Sequence, residues 1–481
     1  MSDTDVIVVG SGAGGSAVAY RLIEAGLRVR LIEKGERLPD DGSTLDIHKV
    51  VHQGAFKSRE TWRDGRGRPI VPEEYFNLGG KTKWYGAALL RYGEHEFEAD
   101  AAHQCLPWPI GYRDLAPYYE EAERLLGVRR FDCEPDLARL LARLNRNGAR
   151  WQASPLPMGL APEILADAEE AAHFDGFASV RRLKADAEQA FLGRIGEGRG
   201  FELITGAAVA RLTPDPTDPR RVIGVRLADG RTFRARHVIL AAGAMHSPRL
   251  LQRHLEDTGL TSLPAYAQVG RNFKLHLLTA MLAVSTGRKT DLLRKTTLLT
   301  NPHLPHSSVQ PLGFDGELIG TLVPRLVPRA MARLIGDRAY GFFLQTEDGS
   351  HPDNRVVAAA NGADASRLDY DARRLEPALR EHRRLVRSLS LSLLGAGYLP
   401  FSQRIPLHGT AHACGTLVAG DAPARSVVDR EGSVHGLAGL SVADGSILPR
   451  SSRVNPSLTI YAWALRLADH LAQRLQRQTP A

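Results

Sequence analysis

Asp5-Val6-Ile7-Val8-Val9-Gly10-Ser11-Gly12-Ala13-Gly14-Gly15-Ser16-Ala17-Val18-Ala19-Tyr20-Arg21-Leu22-Ile23-Glu24-Ala25-Gly26 is the stretch on which the fold turns. An apolar run runs straight into a glycine loop, and the loop into a segment with helical spacing that ends at Gly26. A second apolar run, residues 27–32, ends in Glu33. The order strand, glycine turn, helix, strand, acid suits a dinucleotide. Gly10 allows the tight turn, Gly12 lets a pyrophosphate approach the backbone, and Gly15 lets the helix pack close to the strand. The helix N-terminus offers free N–H groups and partial positive charge to phosphates. Glu33 can accept hydrogen bonds from an adenosine ribose. The motif alone does not separate FAD from NAD; its place near residue 1 leans towards FAD.

The chain has 481 residues, 43% of them hydrophobic, enough for a large core and two or three domains. The formal net charge is +8. Arginine pairs such as Arg373-Arg374 and Arg383-Arg384 stand among acids in helix-like segments, which reads as a solvated face. No basic patch with interleaved aromatic residues is visible, so no nucleic-acid partner is expected. The three cysteines, Cys105, Cys133 and Cys414, have neither metal-ligand nor CxxC spacing, so no metal site is expected and a reducing compartment fits. No apolar stretch approaches the ~20 residues of a transmembrane helix. The expectation is a soluble, cytoplasmic protein.

Residues 34–76 are polar and turn-rich, an excursion from the nucleotide sheet. Asn77-Leu78-Gly79-Gly80-Lys81-Thr82-Lys83-Trp84-Tyr85-Gly86-Ala87-Ala88 suits backbone lying against a flat or anionic ligand. A helix follows from Leu115, with Asp114 as its cap. Residues 134–174 read as helical, with no chemistry apparent. Residues 201–240 read as strands, with a hairpin at Asp229-Gly230, and His237-Val238-Ile239-Leu240-Ala241-Ala242-Gly243 as a buried strand ending in small residues. Ser247-Pro248 starts a helix. Residues 276–408 are rich in proline and strand-like runs and read as an inserted second domain. Within it the stretch 318–335 is apolar and arginine-bearing, broken by Pro324 and Pro328; a lid, a dimer contact, a surface touching membrane and a plain core segment all fit it.

The last seventy residues carry the most chemistry. His408 and His412 flank a glycine turn that continues through Cys414 to Thr416. The segment from Val434 to Ser446 reads as a short strand ending in Asp444-Gly445-Ser446, whose carboxylate and backbone can meet polar parts of a ligand. Asn455-Pro456-Ser457 opens a long amphipathic helix to about Gln473, with Asn455 at the cap.

These pieces together resemble the glucose–methanol–choline (GMC) oxidoreductases, whose cofactor is FAD. The matching stretches are the Gly10 loop with Glu33, Gly79-Gly80 to Ala87, Trp108-Pro109-Ile110, Ala241-Ala242-Gly243 to Leu251, and Val269-Gly270-Arg271-Asn272 with His276. Further matches are His412 to Thr416, Ser426 to Asp429, His435-Gly436, Ala443 to Ser446 and Asn455-Pro456, all in the family's order. The fold implied is α/β: a Rossmann-like FAD-binding domain assembled discontinuously from 1-130, 175-275 and 409-481, and an α+β substrate domain with an antiparallel sheet from 131-174 and 276-408. The activity implied is oxidation of a small-molecule alcohol to an aldehyde or ketone, by hydride transfer to flavin N5. The electrons would pass to a quinone, a carrier protein or oxygen, and a dehydrogenase similar to choline dehydrogenases is favoured over an oxidase. A lyase or a non-catalytic flavin-binding protein on the same fold stays open.

His412 matches the family's first catalytic position, and Asn455 the second. An imidazole suits this work because its pKa lies near working pH. The helix after Pro456 could stabilise charge on the reduced flavin. FAD contacts are expected from Gly10, Ser11, Gly12, Ala13, Gly14, Gly15, Glu33, Lys34, Gly79, Gly80, Thr82, Tyr85, Gly86, Ala87, Val209, Ala242, Gly243, Asp444, Gly445, Asn455, Pro456 and Ser457. His408, His435 and His276 are weaker catalytic candidates. Trp84 stands where some relatives attach FAD through histidine, so noncovalent FAD is expected; Tyr85 follows, its phenol available to flavin or substrate. Cys414 reads as packing.

Overall fold

A computed structural model describes residues 4–145, 148–196, 198–321, 328–359, 365–409 and 412–478. Its centre is a five-stranded parallel sheet in the order Leu440–Val442, His237–Leu240, Val6–Val9, Val29–Ile32, Phe201–Ile204. Val6, Ile7 and Val8 have no exposed surface, as continuous apolar runs in a sheet covered on both faces require. Helix Ala13–Glu24 packs on this sheet and against the C-terminal helix Ser457–Arg477. That last helix is buried on every side in its middle, where Tyr461, Ala462, Trp463, Ala464 and Leu465 are all fully enclosed. Strands Val209–Pro214, Val222–Leu227 and Thr232–Arg234 form a small antiparallel sheet, with the hairpin turn at Asp229-Gly230.

A six-stranded, wholly antiparallel sheet faces the nucleotide fold. Its order is Leu399–Arg404, His276–Val284, Ala339–Glu347, Ser307–Pro311, Thr297–Thr300, Gln152–Pro155. Side chains alternate across it. Met281, Ala283, Phe342 and Leu344 pack under helix Glu376–Gly395 through Leu385, Leu389 and Leu393. Leu278, Ala280, Phe343 and Gln345 face the opposite way, into the main cavity.

The structure departs from the sequence reading in several places. Gln152–Pro155 is an edge strand, paired with Thr297–Thr300; it is short and exposed, and only this distant partner makes it a strand. The polar stretch 34–76 contributes Trp62–Asp64 and Pro69–Ile70 to a four-stranded sheet with Arg355–Val357 and Arg367–Asp369. The helix expected from Leu115 starts at Tyr112, and Asp114 acts from inside the first turn, accepting from the Gly111 N–H at 2.8 Å. Pro456 occupies the cap position of the C-terminal helix, one place later than the expected Asn455. The 318–335 stretch ends one helix, Gly316–Thr321, and holds most of another, Arg329–Gly336; residues 322–327 between them lie outside the described residues.

Candidate active site

One cavity of about 720 Å³ runs between the two large sheets. At one end lie Gly10, Ser11, Gly12, Ala13, Gly14, Glu33 and Lys34, and at the other His412, Asn455, Pro456 and Ser457. Gly80, Thr82, Tyr85, Gly86, Val209, Ala242, Gly243, Asp444 and Gly445 line the cavity as well.

Three expected contacts do not reach the cavity, and each has a packing role. A Cβ on Gly15 would stand 1.9 Å from the Gly10 carbonyl oxygen, so Gly15 lets helix and strand touch. Gly79, at φ +84°, donates its N–H to Ser11 Oγ at 3.0 Å and opens a short helical turn. Ala87 is fully buried, and its carbonyl accepts from Gly159 N–H at 2.9 Å.

The polar groups of the nucleotide end are ordered by the protein itself. Glu33 Oε2 accepts from Ser11 N–H at 2.9 Å and Ser11 Oγ at 2.7 Å, and Oε1 from Gly35 N–H at 2.9 Å. Burial pushes this carboxyl above its usual range despite those donors. Lys34 pairs with Glu60 at 2.9 Å and lies 3.7 Å over the Phe76 ring. Asp444 differs from the expectation of a ligand-facing carboxylate. Its Oδ2 accepts from Gly243 N–H and Ser247 Oγ, and its Oδ1 from Ser446 N–H and Oγ. Both oxygens are spent tying the two turns at the sheet's end together. Tyr85 is also reassigned: its hydroxyl donates to the Ala185 carbonyl at 2.6 Å, and the ring faces the cavity. Trp84 donates to Asn77 Oδ1 at 2.9 Å and stacks on Tyr75.

At the other end the hydrogen bonds form a chain with a readable direction. Gln310 Nε2 donates to Asn455 Oδ1 at 2.6 Å, which leaves the Asn455 NH2 facing His412 Nε2 at 3.4 Å. His412 Nδ1 meets His276 Nδ1 at 2.8 Å, and His276 Nε2 lies 2.8 Å from the Ser452 carbonyl. A carbonyl only accepts, so His276 carries its proton on Nε2. His276 Nδ1 is then an acceptor, and His412 carries its proton on Nδ1. The His412 Nε2 lone pair is left towards the cavity. Burial, with the nearby His276, Lys295 and Lys81, holds the His412 pKa well below its usual value, so the ring is neutral. Burial also lowers that of His276.

Two features of this end lay outside the sequence reading. Lys295 and Asp175 form a buried pair at 2.9 Å in the cavity wall. A Cβ on Gly86 would stand 2.1 Å from Asp175 Oδ1 and 2.3 Å from Lys295 Nζ, which explains that glycine. Gln310 is the other, and only its alternation within Ser307–Pro311 hints that it faces the site. His276 is raised from weak candidate to direct partner of His412. His435 is structural, its Nε2 between Ser426 Oγ and the Gly420 carbonyl at 3.0 Å each. The side chain of His408 and residues 410–411 lie outside the described residues. Cys414 is fully buried and burial pushes its thiol up to about 12, which agrees with a packing role.

Two models of the GMC oxidoreductase family match the chain, one over residues 5–278 and one over 348–464. The chain belongs to the GMC oxidoreductases. It is 30% identical to paromamine 6'-oxidase of Streptomyces fradiae, over 97% of this chain and 91% of that one. It is 24% identical to 2-methyl-1,2-propanediol dehydrogenase of Mycolicibacterium austroafricanum, over 99% and 98%. Among solved structures, the fold is similar to a pyridoxine 4-oxidase from Mesorbium loti (TM-score 0.61, 19% identity, 99% and 100% covered). It is also similar to a formate oxidase from Aspergillus oryzae (TM-score 0.71, 16% identity, 99% of both chains). The α/β fold with its parallel and antiparallel sheets is that of this flavoprotein family, and the family and its neighbours indicate FAD.

The residues fit that group. A Cβ on Gly12 would meet nothing within 4 Å, so the loop leaves open space where a pyrophosphate would lie, whereas one on Gly14 would stand 1.6 Å from the Ala443 carbonyl oxygen. Two helix N-termini, at Ala13 and Ser457, open on the same cavity. No helix among the described residues is long and apolar enough to cross a membrane.

Proposed function

We propose that this oxidoreductase converts the hydroxyl group of a small alcohol to a carbonyl, with His412 as base and Asn455 orienting the substrate. The observation that carries the reading is the hydrogen-bond chain from Gln310 to Ser452, which leaves a neutral His412 with its Nε2 lone pair on the cavity. The 3.4 Å contact between Asn455 Nδ2 and His412 Nε2 is long for a hydrogen bond. A substrate hydroxyl can replace it, accepting from the Asn455 NH2 and donating to His412 Nε2. The carbinol proton passes to Nε2, and the resulting imidazolium is steadied by its Nδ1–H bond to His276 and, beyond it, the Ser452 carbonyl. Bound FAD supplies the acceptor for the hydride that leaves the carbinol carbon.

The Gly10–Gly14 loop, Glu33 and the turn at Ala242-Gly243 would hold the nucleotide part of FAD; Gly80, Tyr85, Gly86, Gly445, Pro456 and Ser457 would surround the rest. Trp84 offers no nucleophile at the position where some relatives attach the flavin, which supports noncovalent binding. Residues 1-130, 175-275 and 409-481 are read as the FAD domain, supported by the parallel-sheet strands all falling there; the strands of the six-stranded antiparallel sheet fall in 131-174 and 276-408, read as the substrate domain. The relatives' names point the substrate search to polyols and amino sugars first. Three free cysteines, one of them exposed, support a cytoplasmic setting.

The test is anaerobic. Purified holoenzyme is mixed with a panel of amino sugars, polyols, amino alcohols and apolar alcohols while the oxidised-flavin absorbance is followed. Bleaching by one class, with one carbonyl formed per flavin reduced, is the expected result. A yellow protein whose flavin dithionite reduces, but no alcohol does, would count against the reading. Reoxidation by oxygen, a quinone or a carrier protein then identifies the acceptor.

A further inference from the structure

Behind the candidate base lies a fully buried ion pair that the chemistry above does not use. Arg450 and Glu347 have 2% and 0% of their side chains exposed. Arg450 Nε donates to Glu347 Oε1 at 2.8 Å and Nη2 to Oε2 at 2.6 Å, while Nη1 reaches the Glu98 carbonyl at 3.0 Å. Glu347 Oε1 also accepts from Ser452 N–H at 3.1 Å, and Oε2 from His306 Nδ1 at 3.0 Å. His306 Nε2 faces Asp100 Oδ2 at 3.1 Å, nearer the surface.

A cluster this rich in donors invites a metal reading, since His103, Cys105, His306, Glu347 and Glu381 fall into two groups with donor atoms within 4.8 Å. The geometry argues against it. The His103 and His306 rings are stacked 3.7 Å apart at 10°, so their lone pairs run side by side and do not converge on one ion. Both Glu347 oxygens are already held by Arg450.

Replacing a buried ion pair with well-packed apolar residues is often neutral or stabilising, so stability alone gives no reason for this one. Its position gives another. Ser452 is a buried non-glycine residue at φ +64°, a left-handed conformation that its surroundings must enforce. Glu347 holds its N–H, and Glu96 Oε1 holds its hydroxyl at 2.6 Å and the next N–H, of Arg453, at 3.0 Å. The carbonyl of the same Ser452 then faces His276 Nε2. Glu347 and His276 are also directly opposed in the antiparallel pairing of Ala339–Glu347 with His276–Val284. The segment 450–455 ends at Asn455, so one anchored loop presents both the amide beside His412 and the carbonyl behind His276.

We propose that Glu347 is a positioning residue: clamped by Arg450, it fixes the Ser452 peptide so that its carbonyl selects the Nε2–H form of His276, and thereby the Nδ1–H form of His412. The clamp acts through two bonds and touches neither substrate nor cofactor. The inference rests on the reading of His412 as the base, but its primary test does not need turnover.

That test uses holoenzyme labelled with ¹⁵N-histidine. The imidazole nitrogens of His276 and His412 are observed by NMR and assigned by their loss in His276→Asn and His412→Asn. The wild type should show single tautomers, His276 protonated at Nε2 and His412 at Nδ1. In Glu347→Gln the second tautomer of both should appear, with the ratio moved by about tenfold or more, as befits loss of a charged hydrogen-bond acceptor. Flavin reduction by an active alcohol should slow by at least tenfold with KM little changed, and Glu347→Asp should recover part of it. Unchanged tautomers in a folded Glu347→Gln holoenzyme would overturn the proposal. Should that variant not fold, His306→Asn decides: it removes only the outer donor to Oε2, and a smaller tautomer shift in the same direction supports the clamp while none overturns it. A tautomer shift in a protein that no alcohol reduces would leave the clamp standing and sink the reading of His412 as base.

Discussion

His276 and His412 meet Nδ1 to Nδ1 at 2.8 Å with their rings 86° apart, and the Ser452 carbonyl beyond His276 decides which of the two nitrogens carries the proton. His412→Ala removes the lone pair at the end of that chain. Flavin reduction by an active alcohol should fall by about 10²–10⁴-fold, the usual worth of a positioned acid–base group. FAD content should be unchanged, because His412 bonds to His276 and Asn455 and not to the Gly10 loop or Glu33. Stopped-flow absorbance measures both; reduction at the wild-type rate would remove His412 from the mechanism.

Because burial and nearby positive charge hold the His412 pKa below its ordinary value, the base form persists into acid. The acid limb of the rate profile for flavin reduction should therefore lie below the ordinary histidine value of ~6.5. A limb at or above it would contradict a neutral, buried His412.

Gln310 lines the cavity and holds the side-chain carbonyl of Asn455. Gln310→Leu frees the amide to turn over, so that carbonyl and NH2 compete for His412. A loss of about tenfold in reduction rate is expected, one hydrogen bond's worth, with the melting temperature moved by only a few degrees. A rate within twofold of wild type would show that Asn455 is oriented by something else.

Gly12 and Gly14 separate cofactor binding from folding. Gly12→Ala adds a methyl where no protein atom lies within 4 Å, so the chain should fold and lose FAD affinity. Gly14→Ala drives a methyl to 1.6 Å from the Ala443 carbonyl oxygen, so the helix must move off the sheet and soluble yield should collapse. Expression level and flavin-to-protein ratio read the two effects. Equal FAD loading of Gly12→Ala and wild type would place the pyrophosphate elsewhere.

His382 gives a pH dependence of stability. Its ring lies between Thr279 Oγ1 at 2.7 Å and Thr346 Oγ1 at 2.9 Å, and burial, with Arg404 adding to it, lowers its pKa from 6.5 to about 3. Below pH 6.5 the unfolded chain takes up a proton that the folded chain refuses, so this group withdraws stability as pH falls from 6.5 towards 3. The slope is at most about 1.4 kcal/mol per pH unit. Denaturant melts of wild type and His382→Gln should converge as pH falls through that window. A constant gap would mean that the folded His382 titrates normally.

The nucleotide half of the site was readable because its requirements are local. Gly10, Gly12 and Glu33 sit within one strand–turn–helix–strand unit, and backbone sterics over 24 residues dictate both residue type and spacing. His412 and Asn455 were readable only through resemblance, since nothing in either segment places it beside the other. Asp444 shows the limit of a local reading. Asp-Gly-Ser after a strand does put a carboxylate at the cavity, but Gly243 and Ser247, some 200 residues earlier, take up its oxygens. Gln152–Pro155 became a strand for the same kind of reason, through its pairing with Thr297–Thr300.

The amino-acid sequence by itself determined the dinucleotide loop, the parallel strands and the family, because apolar runs, glycines at positive φ and helix caps are properties of neighbouring residues. Tertiary structure alone decided the proton order along Gln310, Asn455, His412, His276 and Ser452, and the burial of Glu347 against Arg450. Those residues come from five separated parts of the chain. A histidine's tautomer and a carboxylate's charge depend on which donors and acceptors the fold brings within about 3 Å and how much water it leaves beside them.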